Sequence, residues 1–457
     1  MSRMNRASFL AGIAAAAATP AVALGQTETT PLRLQVDATA AGRAVGRDFV
    51  GLSYETKALW WGELAPDPTY VALLRGLGRG NLRVGGNQVE FGIWSEDGKP
   101  QMVDARDYPI GPADAAKLAA LAEGADWTVT SGIALGHGEP QRSAAQAAGW
   151  QHALGARLVG IEIGNEPDTF FRKVRPETYR YADYAREWRA YAAVIDAQKR
   201  VRAPYTGPAS AHDVYGFTIP FANEFRGRIA ALSNHYYHGT AGANPTIAQL
   251  LARDATWPQR LTDLIGAANA ANVPFRLAET NSISRGGTAG VSDVFAATLW
   301  GIRHMAQLLN MGAAGVNFHG GGPAIYTAIH WDERTHAYTA RPLYYALQAV
   351  AAMLPGRVLP SGATGEGPAG SASDIDSVAV VRDDGTLAVL VGNAGTNARA
   401  LTLDPGRSVR AASARRITAP ALDAKDVAFG KPEPLGAGGT TVVLALPAAS
   451  AVLVEIA

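Results

Sequence analysis

The chain has 457 residues, 47% hydrophobic and 18% charged, with a net charge of +1 and no cysteine. That length holds a large domain and a second module. The near-zero charge gives no electrostatic basis for a nucleic-acid partner, and the missing thiols exclude disulfides, thiol catalysis and thiolate metal centres.

In chain order, Arg3 and Arg6 precede the apolar run FLAGIAAAAATPAVALGQ, with small residues around Ala21 to Gly25. This is the pattern of a signal peptide over residues 1–25, so the mature protein is expected to be exported, to the periplasm or beyond the cell. No later apolar run approaches the roughly 20 residues of a membrane span. Residues 26–45, with the alternating PLRLQVDA, predict a strand that joins a later β-sandwich. Eight short apolar runs follow, at 47–55, 81–87, 126–132, 156–166, 203–209, 229–237, 273–281 and 313–321. Helical patterns separate them, such as 176–200 with Pro176 near its start, and 292–312 with Ser292 as cap and Gly312 as stop. Eight alternating units over roughly 270 residues predict an α/β fold, a (β/α)8 TIM barrel over 46–355. A doubly wound sheet would need a Gly-rich phosphate loop after its first strand, and none is there. From 356 to 457 the texture changes to a Gly/Ser/Ala-rich loop at 361–373 and short strands with hairpin turns, the signature of a β-sandwich.

Barrel active sites lie at the C-terminal ends of the strands. Here those ends carry Glu55, Asn87, Asn165-Glu166, His235-Tyr236-Tyr237, Glu279 and His319. Glu166 and Glu279 close the fourth and seventh runs, which face one another across a closed barrel. Two facing carboxylates suit glycoside hydrolysis: one, protonated, serves the leaving oxygen, and the other, ionised, attacks the sugar carbon or positions water. Their mutual repulsion helps to keep one proton in place. An aromatic hydroxyl such as that of Tyr236 would keep the nucleophile ionised, and Asn165 would hold the sugar 2-hydroxyl. A lone strand-end glutamate is more often part of a structural ion pair; a second one on the required strand, and Asn165 before the first, favour chemistry. The histidines 235, 319 and 330 show no metal-ligand spacing, so neither metal nor cofactor is expected.

With these motifs in view, the chain resembles the retaining (β/α)8 glycosidases whose acid/base and nucleophile end strands four and seven. Within them it is similar to glycoside hydrolase family 79, the β-glucuronidase and heparanase family. The resemblance rests on FVGLSYE, LRVGGN, IEIGNEPD, LAETNS, GVSDVFAATLWGIRHM and GVNFHGGG. It implies Glu166 as acid/base, Glu279 as nucleophile, net retention through a covalent glycosyl-enzyme, and a uronic acid in the subsite beside the cut. It further implies that Tyr236 stands beside the nucleophile, that Tyr326 lies near the sugar carboxylate, and that Glu55, Asn87 and Asn165 contact hydroxyls.

One departure bears on specificity. The loop after the nucleophile reads NSISRGGTAG, with Ser284 where the related enzymes often carry an aromatic residue. Arg285 beside it could pair with a uronate, and Gly286 belongs to the same candidate subsite. The reading is therefore an exo-acting β-glucuronidase on a carbohydrate substrate. Three alternatives stay open: a neutral β-glycoside, a 4-O-methylated uronate, and a non-catalytic glycan-binding barrel.

Overall fold

The computed structural model describes residues 30–136, 139–365, 374–436 and 438–457; the leader expected at 1–25 lies outside them. Each of the eight apolar runs forms one parallel strand: β1 (Val50–Glu55), β2 (Asn81–Gly85), β3 (Thr128–Ile133), β4 (Leu158–Ile163), β5 (Tyr205–Ser210), β6 (Ile229–Thr240), β7 (Phe275–Ser284) and β8 (Gly315–Gly320). They close into a barrel in sequence order, with β8 pairing β1. These strands are nearly continuous hydrophobic runs because both faces are covered, one by helices and one by the barrel interior. Large aromatics fill the helix layer, with Trp127, Trp150, Trp188 and Trp257 fully buried.

The interior is polar where it approaches the mouth. Side chains alternate along a strand, and Arg83, Glu162, Ser233 and His235 take inward positions on β2, β4 and β6. Arg83 Nε donates to Glu162 at 2.6 Å, and Ser233 Oγ donates to the other Glu162 oxygen at 2.7 Å.

Two antiparallel-rich sheets flank the barrel. One orders Ser361–Gly365, Thr30–Val36, Arg399–Asp404 and Val442–Leu446; the other runs from Arg43–Val45 through Gly356–Leu359, Ile375–Arg382, Leu387–Asn393 and Ser450–Ile456 to Ala412–Thr418. Their apolar faces enclose a core of their own, to which Thr30–Val36 contributes Leu32, Leu34 and Val36. The central strands are buried on both faces. Leu387, Val389 and Val391 face the sandwich interior, while Ala388 and Leu390 join the barrel's core.

Three local expectations shift. The helix expected at 176–200 runs Tyr181–Ala197, because Asp183 accepts from the Arg180 backbone N–H at 3.0 Å and caps it there, after Pro176. Ser292 does not cap the next helix, Phe295–Met311; its hydroxyl accepts from the Thr288 N–H at 3.1 Å instead. The stretch read as a loop from 361 begins with the edge strand Ser361–Gly365, which pairs antiparallel with Thr30–Val36.

Candidate active site

The strand β4 is followed directly by Gly164-Asn165-Glu166, and here the backbone turns sharply. Glu166 has φ 54°, a left-handed conformation costly for a non-glycine residue. It is held there by its N–H bonding Ala209 O at 2.9 Å and by the 3-10 turn Pro167–Arg172 that starts directly after it. Asp168 in that turn accepts three backbone N–H bonds from Ala211, His212 and Asp213, at 2.8, 3.0 and 3.0 Å, tying the β4 loop to the β5 loop. Glu90 does the same on the other side, accepting from Leu135, Gly136 and Asn165 N–H groups at 2.9, 2.6 and 2.8 Å. Asn165 and Glu166 thus project from a turn fixed on both flanks.

Glu166 and Glu279 do meet across the mouth. One oxygen of each, with a nitrogen of His235, lies within 4.8 Å of the others. Such a triangle also has the shape of a cation site. Here Lys173 pairs with Glu166, and Arg83 is shared between Glu279 and Glu162.

Glu279 accepts from Arg83 Nη1 at 2.9 Å and from the Tyr237 hydroxyl at 2.8 Å. His319 Nδ1 stands 3.6 Å away. Burial alone would push this carboxyl up; the charges of His319, His235 and Arg83 outweigh it and hold Glu279 below the ordinary carboxylate value. Glu166 pairs with Lys173 Nζ at 2.8 Å and His235 Nδ1 at 3.3 Å. Against an opposing burial effect, the His235 hydrogen bond and the Lys173 charge hold Glu166 well below its usual range.

Tyr236 is not beside Glu279. Its ring stacks on Trp257 at 4.0 Å, outside the barrel wall, and its hydroxyl donates to Asp254 at 3.1 Å. The neighbour Tyr237 takes the role instead. With Ser233 and His235 facing inward, the two-residue period of β6 directs 237 inward and 236 outward, so the parity was readable from the histidine. Burial, then the Glu279 charge, push the Tyr237 phenol well above its normal value, which keeps it a protonated donor.

The hydroxyl-contact candidates line the same mouth. Asn165 accepts from Arg83 Nη2 at 2.7 Å and donates to Asn87 Oδ1 at 3.2 Å. Glu55 accepts the Gln88 N–H at 2.7 Å and stands 3.7 Å from His319 Nε2. Gly86, at φ 67°, lies against the Glu55 carboxylate where a Cβ would collide. Tyr326 is buried, its ring centroid 6.1 Å from that of Tyr237 and 6.3 Å from that of His319. The Ile325 N–H bonds Gly286 O at 2.6 Å, joining the Tyr326 loop to the loop after β7.

Ser284 closes β7 opposite Thr240. Arg285, at φ 60°, is exposed and forms no ion pair among the described residues. The guanidinium leans toward Gly242, and no contact brings it onto the carboxylates. Sequence reasoning missed Arg83, Glu90, Glu162 and Lys173. The parity of LRVGGN is the only signal that could have found Arg83, a charged residue in the middle of a buried strand.

Fold and site together define a class: a closed (β/α)8 barrel with facing strand-end carboxylates and an appended β-sandwich, the architecture of TIM-barrel glycosidases. Among solved structures the chain is similar to a 4-O-α-L-rhamnosyl-β-D-glucuronidase from Fusarium oxysporum 12S, with a TM-score of 0.75 at 20% identity over 94% of this chain and 99% of that one. It is also similar to the GH51 arabinofuranosidase from Xanthomonas axonopodis pv. citri, at 0.72 and 16% over 94% and 100%. At these identities the likeness is one of fold. In sequence it is 28% identical over 229 residues to a β-glucuronidase of Aspergillus niger, covering 44% of this chain and 42% of the relative. A β-glucuronidase of Neurospora crassa is 24% identical over 343 residues, covering 64% and 60%. The chain therefore matches less than two thirds of the length of either relative. No family model matches it.

Proposed function

We propose that the protein is a retaining exo-acting β-glucuronidase of the family 79 type, with Glu279 as nucleophile and Glu166 as acid/base. The observation that carries this reading is the pair itself, two carboxylates from β4 and β7 with oxygens within 4.8 Å. Retaining enzymes place their carboxyls about 5–5.5 Å apart, and inverting ones leave about 6.5–9.5 Å for a water. The spacing supports attack by the protein itself.

In the first step a Glu279 oxygen bonds to the anomeric carbon as the glycosidic bond breaks, and Glu166 gives its proton to the departing oxygen. In the second, Glu166 takes a proton from water, whose oxygen attacks the anomeric carbon and frees Glu279. Each residue ends the cycle as it began. Arg83 and Tyr237 keep Glu279 ionised and aimed, and Asn165, itself fixed by Arg83, is available to the 2-hydroxyl. The glucuronidase names of the two sequence relatives support a uronate in the subsite. We assign its carboxylate to Tyr326 and the Gly286 loop, which the Ile325–Gly286 hydrogen bond joins, with the exposed Arg285 as a further cation on that loop.

Hydrolysis of aryl β-glycosides (glucuronide, galacturonide, glucoside, galactoside, xyloside), with Glu279→Ala as the blank, tests the reading. It predicts turnover of the glucuronide and none by the folded variant. Turnover of a neutral glycoside instead would keep the mechanism and overturn the uronate; undiminished activity of Glu279→Ala would overturn the nucleophile.

A further inference from the structure

Lys173 follows the turn Pro167–Arg172, and its ammonium touches two groups of the site at once. Nζ lies 2.8 Å from Glu166 Oε2 and also hydrogen-bonds Asn87 Oδ1. Under the proposed function these are sugar-facing groups: Glu166 must point at the glycosidic oxygen, and Asn87 is a hydroxyl contact. The ammonium occupies lone pairs that a bound sugar would need. It is also the loosely held member of the cluster. Its side chain is 27% exposed, whereas those of Arg83 and His235 are 1% and 0% exposed. Arg83 is locked by four side-chain partners, Glu162, Ser53, Glu279 and Asn165; Lys173 has two, on a flexible four-carbon stem.

We infer that Lys173 is a substrate-displaced counter-ion: it pairs with the acid/base in the free protein and gives up both Glu166 and Asn87 when a sugar enters. This rests on the reading of Glu166 as acid/base, and it supplies what that reading lacks. In the free site Glu166 is a carboxylate, yet the first step needs its proton. The titratable and charged groups facing Glu166 are Lys173 from its own loop, His235 from β6 and Glu279 from β7, with Arg83 of β2 behind Glu279. Once the ammonium leaves, His235 alone still favours the charged form, while burial and the facing Glu279 carboxylate both favour uptake of a proton from solvent. Binding thus arms the acid, and Lys173 acts as a positioning residue for the proton rather than for the sugar.

The test is the pH dependence of kcat/KM for phenyl β-glucuronide, whose poor leaving group needs the acid, in wild type, Lys173→Met, Lys173→Gln and Lys173→Arg. The limb where activity falls with rising pH reports the free protein's acid. It is expected to move up by about 1 pH unit or more in the Met and Gln variants and to stay in place in the Arg variant. An unmoved limb in a folded Met or Gln variant, with only KM or melting temperature altered, overturns the inference and leaves the proposed function intact. A wild type without turnover on any β-glucuronide overturns both.

Discussion

Tyr236 and Tyr237 are chemically identical neighbours, and only the pleat of β6 separates their roles. Tyr237 hydrogen-bonds Glu279, while Tyr236 is buried between Trp257 and His304 and anchors Asp254. A hydrogen bond to a charged group contributes about 1.5–3 kcal/mol. Tyr237→Phe should therefore lower kcat/KM on the order of 10- to 100-fold with little change in melting temperature. Tyr236→Phe should show the reverse pattern, near-normal rates and a loss of stability of about 1 kcal/mol. Steady-state kinetics and thermal melts of both variants check this, and a swapped pattern would return the role to Tyr236. The expectation for Tyr236 fails on parity alone: the residue that faces inward is set by a period of two.

At the scale of elements, the loop after β8 is tied down by one buried acid. Glu63, 1% exposed, accepts the Gly322 N–H at 2.8 Å, and burial pushes its carboxyl up to about 7. A carboxyl raised in the folded state holds a proton between pH 4.5 and about 7 that the unfolded chain has already lost. The folded state therefore loses stability as pH rises through that window, by an amount on the order of 3 kcal/mol. Below the unfolded value the effect vanishes. Glu63→Gln should flatten this part of the stability–pH curve, measured by denaturant unfolding at pH 4.5, 6 and 7.5; an unchanged slope would contradict the account. Elements of this kind were only partly legible. Strand positions followed from apolar runs, since burial on both faces dictates them. Helix starts did not, because the side chains that cap them compete: Asp183 won over Pro176, and Ser292 was taken by the loop.

The whole molecule explains why the C-terminal strands read as unbroken apolar runs. Leu387–Asn393 and Ser450–Ile456 form a shared wall. Val452, Val454 and Ile456 face the sandwich, and Ala451 and Leu453 face the barrel. Asp376 adds polar ties to that seam, accepting from Arg303 and Arg253 at 2.8 Å each. The barrel and its two carboxylates were legible because eight strands in order bring the ends of the fourth and seventh together. The cations beside them were not, since Arg83 meets Glu279 only in three dimensions, and Lys173, although close to Glu166 in sequence, reaches it only because the turn Pro167–Arg172 folds back.

The central claim is that closure of the barrel makes Glu279 a covalent nucleophile and Glu166 its acid/base. Its most direct test is the intact and peptide mass of Glu166→Ala quenched during turnover of 4-nitrophenyl β-glucuronide, whose activated leaving group needs little proton help. The account predicts a glucuronyl adduct, accumulated for want of the base and mapped to Glu279. Turnover without an adduct, and with the opposite anomer as the first product, would contradict it.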